Sequence, residues 1–283
     1  MSHRSPLASI LGAIVSVQAG AALAKGLFPA LGPIGTVGLR VVLSAIMLMA
    51  AFRPRLRALS PAQWRAVIPY GLILGTMNIV FYLSLSRIPL GVAVTVEFVG
   101  PLAVAVFGSR RAVDIAWVVL AAAGIALITP WSGGGADALG VLLALAAGAC
   151  WAAYILLGGR VSRIMPGGAS VALPAAVATG GFARLTLPLF VAGIGVALLS
   201  SAIPYTLEMI ALKRLPARTF GILMSLEPAV AALLGVVVLH ELLSFRQWLA
   251  VALIIAASTG STLTSRRPAP VVAGEAGEGW QGG

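Results

Sequence analysis

The chain has very little charge and almost no cysteine. Aspartate, glutamate, lysine and arginine together make up 10% of its 283 residues, whereas roughly a quarter is usual in a soluble domain. The single cysteine, Cys150, excludes a disulfide framework and any metal site built from cysteines. Hydrophobic residues make up 60% of the chain. This composition indicates an integral membrane protein.

Acidic residues are fewer than basic ones, 8 against 19, which gives a formal net charge of +11. Such an excess can indicate binding to nucleic acid, but the lysines and arginines lie mostly in short breaks between apolar segments. Positive charge in that position is typical of the loops that orient a membrane protein. We therefore expect the lipid bilayer as a partner of the chain, and no nucleic acid. The oligomeric state is not predicted by the sequence.

Apolar segments long enough to cross a bilayer recur along the chain. A helix needs roughly 20 residues to span the hydrocarbon core. No cleavable signal peptide is expected, because the first apolar segment lacks a small-residue cleavage site and is read as a span. The predicted spans of the first half are 7–24, 34–52, 67–85, 90–108 and 112–129, and those of the second half are 138–158, 169–179, 187–212, 219–239 and 245–263.

Segment seven, residues 169–179, is the short member of this series. Its helix would measure about 16 Å against a core of roughly 30 Å. If all ten segments cross and the N-terminus is cytoplasmic, the great majority of lysines and arginines fall on the inner side, and the excess shrinks if segment seven does not cross. We therefore expect segment seven to cross as a short or distorted helix, or together with part of 180–187.

One short motif occurs twice, at matching positions of the two halves. Arg87-Ile-Pro89 precedes Pro101, and Arg214-Leu-Pro216 precedes Pro228 with the same spacing. Because five spans per half is an odd number, the second half would lie inverted relative to the first. Two related halves of this kind are typical of a transporter, in which they can rock about a shared site.

The predicted fold class is therefore all-α integral membrane, with ten transmembrane helices as two five-helix inverted-topology repeats. The predicted boundaries are 1–131 for the first repeat, 132–265 for the second, and 266–283 for a disordered cytoplasmic tail. The predicted location is the bacterial inner (cytoplasmic) membrane, with both termini in the cytoplasm.

Four ionisable residues lie within predicted spans, namely Arg40, Glu97, Glu208 and Glu227. Such groups are costly in a membrane and mark transport pathways by default. When the two motifs are aligned, Glu97 and Glu227 fall three positions apart, and residues at that spacing lie on the same face of a helix. The glutamates are predicted to bind a substrate ammonium or exchange a proton, because burial favours the neutral carboxyl. Alternatively, each pairs with Arg40 or caps a broken helix; Arg40 itself would bind a carboxylate, pair with a glutamate or snorkel to the interface.

Several uncharged residues are weaker candidates for the pathway, and each has a packing role as its alternative. Polar groups at mid-span join helices more often than they bind ligands. Aromatic residues on one face of span six would line the pathway or contact lipid. These candidates are Gln18, Asn78, Tyr205, Trp151 and Tyr154.

Three prolines inside spans are predicted to kink or break their helices, because proline removes a backbone donor. They are Pro101, Pro204 and Pro228. No metal is expected, since no third ligand lies near His240 and Glu241 in the sequence, and no cofactor is expected.

The second half carries the most specific stretch of the chain. Residues 201–228 read SAIPYTLEMIALKRLPARTFGILMSLEP, and residues 94–103 of the first half read VTVEFVGPLA. Both stretches resemble the threonine/homoserine exporter group of the EamA-like drug/metabolite transporters. The resemblance covers nearly the whole chain. It implies ten helices in inverted repeats, an inner-membrane location and efflux of small amino acids.

Other functions remain open at this point. A carrier of the same fold could export another metabolite, such as an aromatic amino acid, a purine or a toxic compound. An intramembrane enzyme is disfavoured, because both histidines lie outside the spans and no G-x-S-x-G motif or paired intramembrane aspartates occur. No Walker A sequence occurs either, so a carrier would draw on an ion gradient, protons for example, or on substrate exchange.

Overall fold

The computed structural model describes residues 6–52, 60–106, 112–128, 137–164, 186–204, 207–208 and 223–264. Within these ranges the regular structure is helical. The helices are α1 Pro6–Gly26, α2 Phe28–Phe52, α3 Pro61–Leu85, α4 Leu90–Glu97, α5 Val99–Val106, α6 Ala112–Ile128, α7 Ala138–Ile164, α8 Leu187–Ala197, a π-helical turn Leu198–Ala202, α9 Glu227–Leu239 and α10 Phe245–Thr264.

Five helical segments are long and apolar enough to cross a membrane: Leu7–Gly26, Phe28–Met47, Pro61–Leu85, Ala138–Leu157 and Phe245–Thr264. They correspond to predicted spans one, two, three, six and ten, which are thereby confirmed as long apolar helices. Shorter apolar helices cover Leu90–Val104, Ala112–Leu127, Leu187–Ala202 and Glu227–Leu239. Segment seven and the predicted tail lie outside the described residues.

Helices α3 and α10 begin with the same local device. Ser60 precedes α3 and exchanges hydrogen bonds with Gln63: the Gln63 N–H donates to the Ser60 Oγ at 3.3 Å, and the Ser60 N–H donates to the Gln63 Oε1 at 2.8 Å. Ser244 and Gln247 repeat this exchange at the start of α10, at 3.4 and 2.7 Å. These capping boxes satisfy N–H groups that a helix start leaves without partners.

Helix α2 is interrupted near its beginning. Gly32 has φ 68° and ψ 167°, a conformation that glycine adopts without steric cost. Pro33 follows, and the regular helix continues from there. The regular helix after this break therefore nearly coincides with the predicted span 34–52.

The predicted fourth span is also divided. Helix α4 ends at Glu97 and α5 begins at Val99, and Phe98 between them keeps right-handed dihedral angles. Pro101 is the third residue of α5, so its missing N–H falls in the first turn, where a helix has no internal acceptor for it. The division therefore leaves Glu97 at the end of a helix.

Small residues bring the helices into close contact. A Cβ at Gly100 would lie 1.9 Å from the carbonyl oxygen of Gly148, and one at Gly124 would lie 2.9 Å from Cγ1 of Ile254. Such contacts are typical of membrane helices, which associate through close backbone approach. Large apolar side chains such as Val119 and Leu142, each 62% exposed, face outward. This arrangement suits a bundle whose outer surface meets lipid.

Candidate functional site

Helices α4 and α9 cross in direct backbone contact and run in opposite directions. A Cβ at Gly91 would lie 2.4 Å from the Cα of Ala232, and a Cβ at Gly235 would lie 3.6 Å from the Cβ of Leu90. Leu90, which precedes Gly91 in α4, therefore meets Gly235, which follows Ala232 in α9. The end of α4 and the beginning of α9 consequently meet on the same side of the crossing.

Glu97 is the last residue of α4, and Glu227 is the first residue of α9. From the Gly91–Ala232 contact, Glu97 lies about 9 Å along its helix and Glu227 about 7.5 Å along the other. The antiparallel directions place both at nearly the same depth. Each glutamate is only 7% exposed, so two acidic side chains share the interior of the bundle.

A third glutamate and an arginine belong to the same group. The charges of Glu208 and Glu97 both act on the Glu227 carboxyl. The Arg40 guanidinium of α2 acts on Glu97. Like charges that are buried together repel, and an arginine beside them offsets part of that repulsion. The structure thus brings together the four ionisable residues that the sequence singles out.

Arg40 is held against a tyrosine. Its Nη1 donates to the Tyr82 Oη at 3.1 Å, and its Cζ lies 5.5 Å from the centroid of the Tyr82 ring. Tyr82 is fully buried and packs beside Phe28, with ring centroids 5.9 Å apart. A hydrogen bond and a cation–π contact to one ring draw the guanidinium into the bundle.

Aromatic residues of α3 and α7 flank the carboxyl groups. Tyr70 and Tyr154 stack with ring centroids 4.5 Å apart and an interplanar angle of 20°, and they are joined by a side-chain hydrogen bond. The charge of Glu208 acts on Tyr154. Trp151 meets the Phe98 ring edge-on at 5.5 Å. Since Phe98 follows Glu97 directly, α7 presents both of its predicted aromatic residues toward the acidic group.

The close approach of α4 to α7 explains this placement. A Cβ at Gly148 would lie 2.6 Å from the carbonyl oxygen of Glu97. A larger residue at position 148 would push α7 away from the end of α4. Gly148 therefore keeps Trp151 and Tyr154, which follow within two turns, beside the acidic group.

The remaining candidates are placed less centrally. Gln18 is buried in α1. Asn78 donates to the carbonyl oxygen of Leu74 in its own helix at 2.8 Å, so its amide nitrogen is engaged within α3. Tyr205 lies outside the described residues.

The two other prolines differ in setting. Pro204 is buried shortly after the π-helical turn. Pro228 is the second residue of α9, where the lack of an N–H costs no helical hydrogen bond. Glu227 thus stands at a helix start, as Glu97 stands at a helix end.

Sequence reasoning missed Tyr70 and Tyr82. Both are buried tyrosines within an apolar span, and such a residue usually finds a hydrogen-bond partner. That rule indicates that each tyrosine has a partner, but it does not identify Arg40 as the partner of Tyr82 or Tyr154 as the partner of Tyr70.

Comparisons with known proteins agree with one another. Residues 138–263 match the EamA-like transporter family. The chain is 48% identical over 277 residues to the threonine/homoserine exporter RhtA of Salmonella typhimurium (strain LT2), covering 93% of this chain and 92% of that protein. It is 46% identical over 281 residues to the exporter of the same name from Escherichia coli (strain K12), covering 94% of each chain. A solved crystal structure of 22% identity aligns with a TM-score of 0.59 over 93% of this chain and 100% of its own, which bears on the fold alone.

Proposed function

This chain belongs to the EamA-like transporter family, and we propose that it is a secondary carrier that exports threonine, homoserine or similar small amino acids by alternating access. It is a multi-pass membrane transport protein and not an enzyme, in keeping with its family and its exporter relatives. The observation that carries the proposal is that Glu97 and Glu227 are buried at nearly the same depth on one side of the α4–α9 crossing, where the charge of Arg40 acts on Glu97.

The proposed architecture is ten transmembrane helices in two inverted five-helix repeats, 1–131 and 132–265, followed by a cytoplasmic tail, 266–283. The antiparallel crossing of α4 and α9 supports it, because spans four and nine are equivalent members of the two repeats and would have opposite directions. The proposed location is the inner membrane, with both termini in the cytoplasm.

An amino acid carries an ammonium and a carboxylate, and the site offers a partner for each. We assign the ammonium to the glutamates and the carboxylate to Arg40, whose guanidinium suits planar two-point binding. Glu208 and the Tyr70–Tyr154 pair would supply further contacts. Exchange of substrate for a proton at one glutamate would couple export to the proton gradient.

The test is accumulation of radiolabelled threonine and homoserine in inside-out membrane vesicles, with and without an imposed pH gradient. The expected result is saturable, gradient-dependent accumulation that is lost in Glu208→Gln and kept in Asp137→Asn. Asp137 is the matched control, since it is an exposed carboxylate at the end of the bundle. Well-inserted protein that accumulates neither amino acid would refute the assigned cargo.

A second cargo class is favoured by one observation. The Tyr70–Tyr154 and Phe98–Trp151 contacts place four aromatic rings near the carboxyl groups, and such rings could stack against an aromatic amino acid or a purine. Competition resolves the choice: excess phenylalanine or adenine would block labelled threonine accumulation only if the site accepts those molecules.

A further inference from the structure

Three polar contacts tie separate chain segments together at one end of the bundle. Lys25, near the end of α1, has its Nζ 2.7 Å from Oε1 of Glu241. The same Nζ donates to the carbonyl oxygen of Ile88 at 2.8 Å. The other oxygen of Glu241 accepts the N–H of Leu90, the first residue of α4, at 2.8 Å. We call these four residues, Lys25, Ile88, Leu90 and Glu241, the latch.

The chain after α9 is shaped to deliver Glu241 to this position. His240 has φ 54°, a left-handed conformation that is unfavourable for a residue with a side chain. The Glu241 N–H then folds back and donates to the carbonyl oxygen of Gly235 at 3.0 Å. A Cβ at Gly235 would lie 2.4 Å from Oε2 of Glu241, so the carboxylate rests directly against the helix backbone. The absence of a side chain at Gly235 makes room for it.

The latch is better shielded than the Arg87–Asp137 ion pair. The side chains of Lys25 and Glu241 are 21% and 12% exposed, whereas those of Arg87 and Asp137 are 42% and 38% exposed. Shielding from water strengthens an ion pair, and exposed pairs contribute little. Glu241 also satisfies a helix N-terminus, where negative charge is favoured.

Two properties of the latch suit a gate. It joins Lys25, Ile88 and Leu90 of the proposed first repeat to Glu241 of the second, so the two repeats cannot separate at this end while it is closed. It also holds the first residue of α4, whose last residue is Glu97. The eight residues of α4 therefore connect the latch to the candidate site.

We propose that the latch is the outer gate of the transporter and that it is closed in this structure. Opening requires Glu241 to release Lys25 and the Leu90 N–H together, which lets the end of α9 move away from α1 and α4. The proposal rests on the proposed function and on the orientation in which the loop after α1 faces outward.

The test uses Cys150 as a reporter of access to the site. Cys150 is half-buried on α7, within reach of the charge of Glu97, and it precedes Trp151. A small, membrane-impermeant, cationic thiol reagent is applied to intact cells, which expose the outer side, and to inside-out vesicles, which expose the cytoplasmic side. Cys150→Ala supplies the blank.

Three single variants separate the parts of the latch, and a control and a double charge swap accompany them. Lys25→Met removes the ion pair and keeps the length of the side chain. Glu241→Gln removes the charge and keeps an acceptor for the Leu90 N–H. Gly235→Ala displaces the carboxylate without changing any charge, and Asp137→Asn is the control at the exposed pair. The double charge swap, Lys25→Glu with Glu241→Lys, restores attraction but not the acceptor.

The expected result is an increase of about tenfold in labelling from the outside for Lys25→Met and Glu241→Gln, because loss of a charge-assisted hydrogen bond shifts a two-state equilibrium by about that factor. Gly235→Ala should behave in the same way, and Asp137→Asn should match the wild type. The charge swap should return labelling part of the way. Labelling from the cytoplasmic side should not rise in any variant.

An equal rise from both sides would mean that the variants only loosen the fold, and it would overturn the proposal. An unchanged outer labelling rate, or a rise confined to the cytoplasmic side, would overturn it as well. Labelling needs no substrate. A wild-type protein that fails to accumulate threonine would refute the assigned cargo. The labelling rates would still show whether the latch controls access from the outer side.

Discussion

Glu97 ends α4 and Glu227 begins α9, and the antiparallel contact of the two helices brings these residues to nearly the same depth inside the bundle. Both side chains are almost fully shielded from solvent. A membrane protein gains no stability from collecting buried acids. The arrangement therefore favours a role in binding or proton exchange over a role in holding the fold.

The first prediction separates these two roles at Glu227. In Glu227→Gln, transport should fall by about tenfold or more, because the substitution weakens the proposed hydrogen bond between Glu227 and the substrate ammonium. A hydrogen bond to a charged group contributes about 1.5–3 kcal/mol. The thermal unfolding temperature in detergent should not fall, since glutamine keeps the shape of the side chain and the substitution removes an acid that is costly to bury. A marked loss of stability with transport per folded molecule unchanged would instead show a structural role.

The second prediction concerns the helix crossing. Gly91→Ala places a Cβ 2.4 Å from the Cα of Ala232, so the backbones must separate. We expect a loss of about 1–3 kcal/mol in stability, which is typical of overpacking, measured as a lower thermal unfolding temperature. Gly26→Ala is the matched control, because nothing lies within 4 Å of its Cβ position. Equal effects of the two substitutions would contradict the close crossing.

The third prediction concerns the tyrosine that holds Arg40. Tyr82→Phe removes the hydroxyl at 3.1 Å from Nη1 and keeps the ring. We expect KM for threonine to rise by roughly threefold to tenfold, since a typical hydrogen bond contributes about 0.5–1.5 kcal/mol and the hydroxyl acts on the substrate only by positioning Arg40.

An analogue without a carboxylate provides the control for Tyr82→Phe. Its inhibition constant should not change, because Arg40 is proposed to bind the carboxylate. A change of equal size for both ligands would remove Arg40 from that role.

The fourth prediction is a dependence of stability on pH at the exposed ion pair. The hydrogen bond from Arg87 lowers the pKa of Asp137 from its ordinary value of 3.8. Because the folded-state pKa lies below the unfolded one, the stability from this pair is complete above pH 3.8 and is lost as pH falls through the lower folded pKa.

Unfolding temperatures of the wild type and Asp137→Asn, measured from neutral pH into acid, check this dependence. The wild type should be slightly more stable at neutral pH, and the difference should shrink toward zero in acid. A difference that grows as pH falls would contradict the assigned direction.

Some predictions follow from the sequence alone because they depend on local properties. The long apolar helices follow from runs of hydrophobic residues, and their outlines agree with spans one, two, three, six and ten. The repeated Arg-x-Pro motif predicts that Glu97 and Glu227, three positions apart in repeat register, share a helical face. Membership in the transporter family was visible in residues 201–228, and the relatives bear it out.

The division of span four was only half predicted. Pro101 indicated a break, yet α4 ends four residues earlier and places Glu97 at the break itself. Where a helix with a proline bends depends on the neighbouring helix. Here the neighbour is α7, whose Gly148 allows backbone contact with Glu97.

The order of the amino acids is enough to establish a membrane protein of apolar helices, the spans that carry charge, and the family that the chain resembles. The contacts of Arg40 with Tyr82 and of Lys25 with Glu241, a residue 216 positions away, depend instead on how the helices pack. Hydrophobicity acts on each segment separately, whereas a polar pair forms only where helix packing brings both partners within about 3 Å.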